Sequence, residues 1–372
     1  MVICVDRTGT AEEFRRLLQD VAGHQDVQSI LALACDANGF TPDAVNDVLT
    51  TLPLPVFGGV FPAVIHNDQK VDRGSIVAGF PCQANVQVIP GLSDPEVDYE
   101  SLIDDRNVPP DSKTMLVFVD GLAKRISALV DSLFYVFALD YNYIGGGAGS
   151  ASFERKPCVI TNQGLLQDSA VLALLNSASG VGVSHGWEVV AGPFQVTESD
   201  RNVIHTLDWK PAFDVYRCVV ERHAQHELTE DAFYEIARSY PFGITRIGSE
   251  RIVRDPFQVG PNGSLVCVGE VPRDYYVYIL TGSAVSLIKA ASNAATLSEQ
   301  DFPADTVRRT TLFVDCVSRE LFLGNHFNRE IKAVYRENTD LIGALTLGEI
   351  ANSRADCPEF CNKTSVVGML EA

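Results

Sequence analysis

The residues of this chain that invite chemistry fall in short groups. The most glycine-dense is "YNYIGGGAGSAS" at 141–152, where Gly145, Gly147 and Ser150 nearly spell the nucleotide-binding fingerprint G-x-G-x-x-G. That fingerprint holds an anion because a helix begins directly after the glycines and turns free N–H groups and its dipole toward the phosphate. Here "ASFERKPCVITNQG" follows, with a proline, β-branched residues and no helix signal, and no Lys-Ser/Thr pair completes a P-loop. The glycines read instead as a strand that another backbone, or a small ligand, approaches closely.

"GVSHG" at 182–186 matches G-x-S-x-G with Ser184 as nucleophile, but that motif acts only on a strained turn from strand to helix, and "WEVVAGPFQV" after it is strand-like. "HAQHE" at 223–227 has its histidines three apart and Glu227 out of place for either zincin order, so it reads as the solvated polar lead-in to a helix. "CPEFC" spaces Cys357 and Cys361 wrongly for a redox couple and has no second pair for structural zinc. His185 sits between glycines, where a ring either faces a cavity or is tied into structure by hydrogen bonds. Arg319, after "VDCVS", and Glu349, in "TLGEI", are charges at the ends of apolar strands, where an α/β layer opens onto its crevice. Buried there, they need partners, and either an Arg–carboxylate pair or a polar ligand would serve.

These residues are carried by a repeated unit: an apolar strand ending near an Asp, an amphipathic helix, a glycine-containing strand and a further apolar strand. The first copy is "ILALACD", "TPDAVNDVLTTL", "PVFGGVFPAV" and "GSIVAGF", with Thr41 and Pro42 as the helix start. The second is "MLVFVDG", "LAKRISALVDSLFYVF", "YIGGGAGSAS" and "DSAVLALL", the third "TLFVDCV", "FLGNHFNREIKAVYREN", "DLIGALTLGEI" and "NKTSVVGML". Asp36, Asp120 and Asp315 precede Gly58, Gly145 and Gly343 by 22, 25 and 28 residues, room for a helix of about four turns each time. Residues 91–114 read as a polar loop joining the first two units.

Between the second and third units lie antiparallel strands with an Asn262-Gly263 hairpin signal, interrupted by a helix from Thr229, with Glu230 and Asp231 in its first turn, and by "AVSLIKAASNAATL". The expected fold is therefore α+β: packed mixed and antiparallel sheets flanked by helices, the repeated units forming two pseudo-similar halves across a crevice.

A formal charge of −19 from 48 acidic and 29 basic residues argues against nucleic acid and anionic membranes as partners. Nine scattered cysteines in mostly apolar runs read as buried thiols of a reducing compartment, and with no signal peptide or membrane-length apolar run the expected location is cytoplasmic.

The stretches "GGVFPAV", "IGGGAGS", "GVGVSHGWEVVAGPFQVTES", "NVIHTLDWKPAFDVY", "YPFGI", "VRDPFQV", "DCVSRELFLG", "IGALTLGEI" and "CNKT" run in this order to the C-terminus. Together they resemble the FIST family, a sensory module with N-terminal and C-terminal parts. The resemblance implies an N-terminal domain over 1–205, a C-terminal domain over 206–372, and a non-catalytic sensor of an amino acid or related metabolite. Its output is expected to pass through a partner, such as a histidine kinase, or through its own oligomer. Some bacterial members are haem proteins that sense nitric oxide, which makes haem a candidate cofactor and His185 the first residue to test as its axial ligand; a third reading is an enzyme using Arg319, Glu349 and His185. Carried over residue by residue, the family's motifs make Gly145, Gly147, His185, Asp315, Arg319, Glu349, Asn362 and Thr364 the candidates for lining a pocket.

Overall fold

A computed structural model describes every residue except 109–111, 231–232, 246–249, 304–307, 353–355 and 372. Its first unit runs β1 (Val2–Asp6), α1 (Ala11–Ala22), β2 (Ser29–Cys35), α2 (Pro42–Thr51), β3 (Val56–Phe61), a hairpin of β4 (Val64–His66) and β5 (Gln69–Val71), and β6 (Ser75–Phe80). The second repeats the order with β7 (Ala84–Pro90), α3 (Tyr99–Leu102), β8 (Thr114–Asp120), α4 (Ile126–Phe137), β9 (Asn142–Ala148), the hairpin β10 (Val159–Thr161) and β11 (Gly164–Leu166), and β12 (Ser169–Leu175). The polar stretch 91–114 thus carries α3 and lies inside this unit, because β7 before it and β8 after it share a sheet.

The third unit begins with β13 (Ser179–Ser184) and is then interrupted by an inserted domain: β14 (Glu188–Asp200), β15 (Val203–Leu207), β16 (Lys210–Pro211), α5 (Ala212–Ala224), α6 (Phe233–Ala237), β17 (Phe242–Ile244), β18 (Ile252–Val259), β19 (Leu265–Val268) and β20 (Tyr276–Thr281). It resumes with α7 (Ala284–Asp301), β21 (Arg309–Cys316), α8 (Val317–Leu323), α9 (Phe327–Val334), β22 (Leu341–Thr346), the hairpin β23 (Glu349–Ala351) and β24 (Glu359–Cys361), and β25 (Ser365–Glu371). The helix expected over "FLGNHFNREIKAVYREN" breaks after Leu323, where Gly324 takes φ +49, and its first part starts directly after Cys316. Of the helix expected from Thr229, the described residues show Phe233–Ala237, and Asp231 lies outside them.

The α+β architecture of mixed and antiparallel sheets flanked by helices is borne out, and the repeat has a finer form than two facing halves. Each unit builds four neighbouring strands of a six-stranded sheet, in the orders β1-β6-β2-β3, β7-β12-β8-β9 and β13-β25-β21-β22. Each sheet is completed by a hairpin from another unit: β10-β11 joins the first, β23-β24 the second and β4-β5 the third. The three units are therefore interlocked in a closed cycle. In each, the parallel pair is buried on both faces and reads as a near-continuous apolar run, as the covering of both sides requires.

One glycine occupies the same place in all three units. Gly58, Gly145 and Gly343 pair in parallel with Ala32, Val117 and Phe313, and face Ile160, Ile350 and Ile65 of the exchanged hairpins. A Cβ added at any of the three would fall on the carbonyl oxygen of its parallel partner. Only glycine lets the two backbones lie that close. The aspartates are less regular, following the glycine-paired residue by four positions at Asp36, three at Asp120 and two at Asp315.

Inner faces of the three sheets share one apolar core that includes Phe61, Phe118, Ile144, Leu312, Val314 and Ile342. Outward, α1 covers the first sheet with Phe14 and Leu18, α4 the second with Leu129 and Leu133, and α7 and α9 the third with Leu287 and Ile331. The inserted strands form their own antiparallel sheet with the core of α5 and α6, including the expected turn at Asn262 and Gly263, both at positive φ.

Candidate functional site

Strands β8 and β21, of different sheets, both lead into residues that line a cleft of about 670 Å³. Its lining comes from the turn Gly121–Lys124 into α4, the junction of β21 and α8 at Cys316–Ser318, the Leu347–Gly348 turn between β22 and β23, and Phe360 and Asn362 around the end of β24. The inserted sheet closes the opposite side with Asp255, Phe257 and Cys267–Glu270, together with Tyr234, Arg201 and Asn202. A cleft at the carboxyl ends of parallel strands is where an α/β layer leaves backbone and helix starts free to meet a ligand.

Two polar residues of the lining, Asp255 and Asn362, are buried, 4% and 2% exposed. Asp255 Oδ2 accepts from Ser318 Oγ at 3.2 Å and lies 3.0 Å from Lys363 Nζ, whereas its Oδ1 has no hydrogen-bond partner among the described residues. Asn362 Oδ1 has none either. An orphaned buried oxygen costs about 1–3 kcal/mol, a cost that Asp315 Oδ2 and Glu330 Oε2 also carry. Burial raises the Asp255 carboxyl above its ordinary range, an effect Lys363 partly offsets. The thiols of Cys267 and Cys316 also line the cleft, and burial holds both well above the usual thiol range, so neither is a ready thiolate nucleophile.

Behind this cleft the fold gathers most of the charged residues singled out from the sequence. Arg319 lies on α8, one turn into a helix rather than at a strand end, and is fully covered. Its Nη1 donates to the carbonyls of His185 (2.6 Å) and Lys363 (3.1 Å), and Nη2 donates to the Leu287 carbonyl (3.0 Å) and to Glu330. Nε lies 3.2 Å from Asp315 Oδ1, close enough for an ion pair though not aligned for a hydrogen bond. Two carboxylates thus face one guanidinium, and burial together with Glu330 drives the Asp315 carboxyl well up, toward its neutral form. Ser365 Oγ donates to Asp315 Oδ1 at 2.8 Å.

Glu349 opens β23, also fully buried, accepting from Thr346 Oγ1 at 3.0 Å and from the Thr364 N–H at 3.2 Å. Burial pushes its carboxyl up to about 8. Thr364 in turn donates its hydroxyl to the Asn362 carbonyl at 2.8 Å. His185 Nδ1 accepts from the Trp187 N–H at 2.8 Å and Nε2 faces Glu250 at 3.9 Å, while burial lowers the pKa of the ring. That bonding places the proton of the neutral ring on Nε2. With Nδ1 taken up by the Trp187 N–H, the ring buried and the residue outside the cleft lining, His185 does not fit the role of a haem ligand at the cleft. Nor do Arg319, Glu349 and His185 bond to one another through their side chains; Arg319 meets only the backbone of His185.

Gly145 and Gly147 lie inside β9. Gly147 bonds through its backbone to the Leu347–Gly348 turn, N–H to the Gly348 carbonyl and carbonyl to the Leu347 N–H, both 2.8 Å, and so sets that wall of the cleft without reaching it. Of the eight candidates Asn362 alone lines the cleft, with Asp315, Arg319, Glu349, Thr364 and His185 packed behind. Asp255 and Lys363, each the third residue of its stretch, "VRDPFQV" and "CNKT", were not among the residues expected from the sequence. Each is a charge inside an otherwise buried stretch, the one signal that could have found it. Other polar groupings are apart from the cleft: His223 ends α5, His226 is exposed, and no cluster of three metal-ligating side chains occurs among the described residues.

A family model for the FIST N domain matches residues 13–210, and one for the FIST C domain matches residues 212–352. Their junction falls in the inserted domain at β16, and the division expected at 205/206 lies in β15 of the same domain. No curated protein is significantly similar to the chain. Among the described residues no helix is long and apolar enough to cross a membrane.

Proposed function

Because this chain belongs to the FIST family of small-ligand sensory domains, we propose that it binds a small metabolite, an amino acid or related compound, in the cleft between β8, β21 and the inserted sheet, without transforming it. The observation that carries this reading is the cleft itself, largely apolar, with the polar residues Asp255, Ser318 and Asn362 among those that line it. Neutral buried thiols and the lack of side-chain contact among Arg319, Glu349 and His185 support binding over catalysis.

The same residues offer a route for the signal. Lys363 ties Asp255 and the Arg238 carbonyl of the inserted domain to the segment whose carbonyl accepts from Arg319 and from Trp187 Nε1. A ligand that moves Asp255 therefore moves the inserted sheet relative to the three-unit body, and a partner such as a histidine kinase would read that displacement. Isothermal calorimetry of the purified chain against amino acids, amines, carboxylates and other small metabolites tests the reading. Saturable binding that is lost on filling the cleft supports it, and silence across the whole panel overturns it.

A further inference from the structure

We propose that the cleft takes an aromatic acid, its ring covered by Phe153, Phe257 and Tyr234 and its carboxylate drawn to Lys124 and Arg201; this rests on the cleft being a ligand site. Of the chain's 19 phenylalanines only Phe153 and Phe257 are exposed, 55% and 38%, and both line the cleft, as does the exposed Tyr234. Aromatic surface left open to water at one cleft is favourably covered by another ring, offset or edge to face. Phe153 and Arg201 also hold left-handed backbone, φ +58 and +51, a conformation that bulky side chains rarely adopt and that clusters at ligand sites.

The charges of the lining select the second group. Its carboxylates are Asp255 and Glu270, its cations Lys124 and Arg201. Asp255 is offset by Lys363 at 3.0 Å. Directly behind Glu270 lies the buried Arg254, whose Nε donates to the Glu270 carbonyl at 2.9 Å and whose Nη1 donates to the carbonyls of Phe360 (2.7 Å) and Val253 (3.2 Å). This guanidinium meets backbone carbonyls and is in ion-pair contact with no carboxylate among the described residues, so its charge is left to oppose that of Glu270. Lys124 and Arg201 are exposed, and their side chains have no partner among the described residues. The uncompensated charge at the cleft is therefore positive, in a chain of net charge −19. Helix α4 adds to it, since Ile126 and Ser127 of its first turn line the cleft and no side chain caps its start. A carboxylate, with one negative charge, suits this setting better than a phosphate, whose second charge would be repelled by Glu270.

Calorimetry of the full chain with phenylacetate, 2-phenylethanol, phenethylamine and cyclohexylacetate tests the inference. Phenylacetate should bind about tenfold or more tighter than the alcohol, with the amine weakest. Cyclohexylacetate, which lacks a ring face, should bind about threefold or more weaker than phenylacetate. Lys124→Gln combined with Arg201→Gln should bring phenylacetate down to the alcohol, leaving alcohol binding and the melting temperature unchanged. Phe153→Ala should weaken acid and alcohol alike. An alcohol or amine that binds as tightly as the acid overturns the inference. So do cyclohexylacetate equal to phenylacetate, acid binding indifferent to the double variant, and binding of other metabolites with no aromatic acid among them; each of these results leaves the sensor reading standing. Absence of binding by every class of small metabolite overturns the sensor reading itself.

Discussion

Lys363 Nζ lies 3.0 Å from Asp255 Oδ2, and the pair, removed from solvent, joins the C-terminal strand region of the third sheet to the inserted domain. Lys363 takes φ +51 to make this contact, and its Nζ also stands 5.4 Å from the centre of the Trp187 ring. Removing one member of a buried ion pair leaves the other charged without compensation. Lys363→Met should therefore lower stability by about 3–5 kcal/mol, and the double variant Asp255→Leu with Lys363→Met should recover much of the loss. Urea unfolding of the three proteins checks this; a single variant as stable as the parent contradicts the assignment.

The glycine shared by the three units has a steric job that alanine cannot do. Gly145→Ala and Gly343→Ala place a methyl group on the Val117 and Phe313 carbonyls, and each should cost about 1–3 kcal/mol or more. Gly23→Ala, at the end of α1 with negative φ and only ordinary contacts near its Cβ position, should change stability by no more than about 0.5 kcal/mol. Thermal unfolding of the three variants side by side gives the comparison.

Glu349 predicts a pH dependence whose sign follows from its raised carboxyl. An unfolded chain releases this proton near the ordinary glutamate value of 4.5 and the folded chain near 8, so between those values the folded state holds more protons and stability falls as pH rises. Glu349→Gln should remove this contribution, so the gap between its melting temperature and the parent's should grow in the variant's favour from pH 4.5 to pH 8. A gap that stays constant across that range would contradict the burial argument.

Ser127 lines the cleft near the start of α4 and is not fully buried. Ser127→Trp should occupy cleft volume, weaken any ligand found by calorimetry at least tenfold, and leave the unliganded melting temperature within a few degrees of the parent. Loss of binding together with a large loss of stability would instead point to a disturbed fold.

What the sequence determined by itself is local. Runs such as "ILALACD", "MLVFVDG" and "TLFVDCV", each followed by a helical stripe and a glycine-bearing strand, specify three copies of one unit, because periodicity and burial pattern act over a few residues. The interruption after Leu323 was masked by a continuous apolar stripe through "FLGNHFNREIKAVYREN", although Gly324 marks the place. Which sheet each hairpin joins, and so the closed cycle of three, was decided by tertiary structure, since strand pairing across units leaves no local pattern. The same holds for the cleft. Lys124, Asp255, Ser318 and Asn362 come together only when β8, β21 and the inserted sheet are in place, and sequence spacing carries no trace of that meeting. Arg319 and Glu349 were legible as buried charges, but their partners were chosen by the fold, which matched the guanidinium with Glu330 and backbone carbonyls and left the unpartnered acceptors at Asp255 and Asn362 beside the cleft.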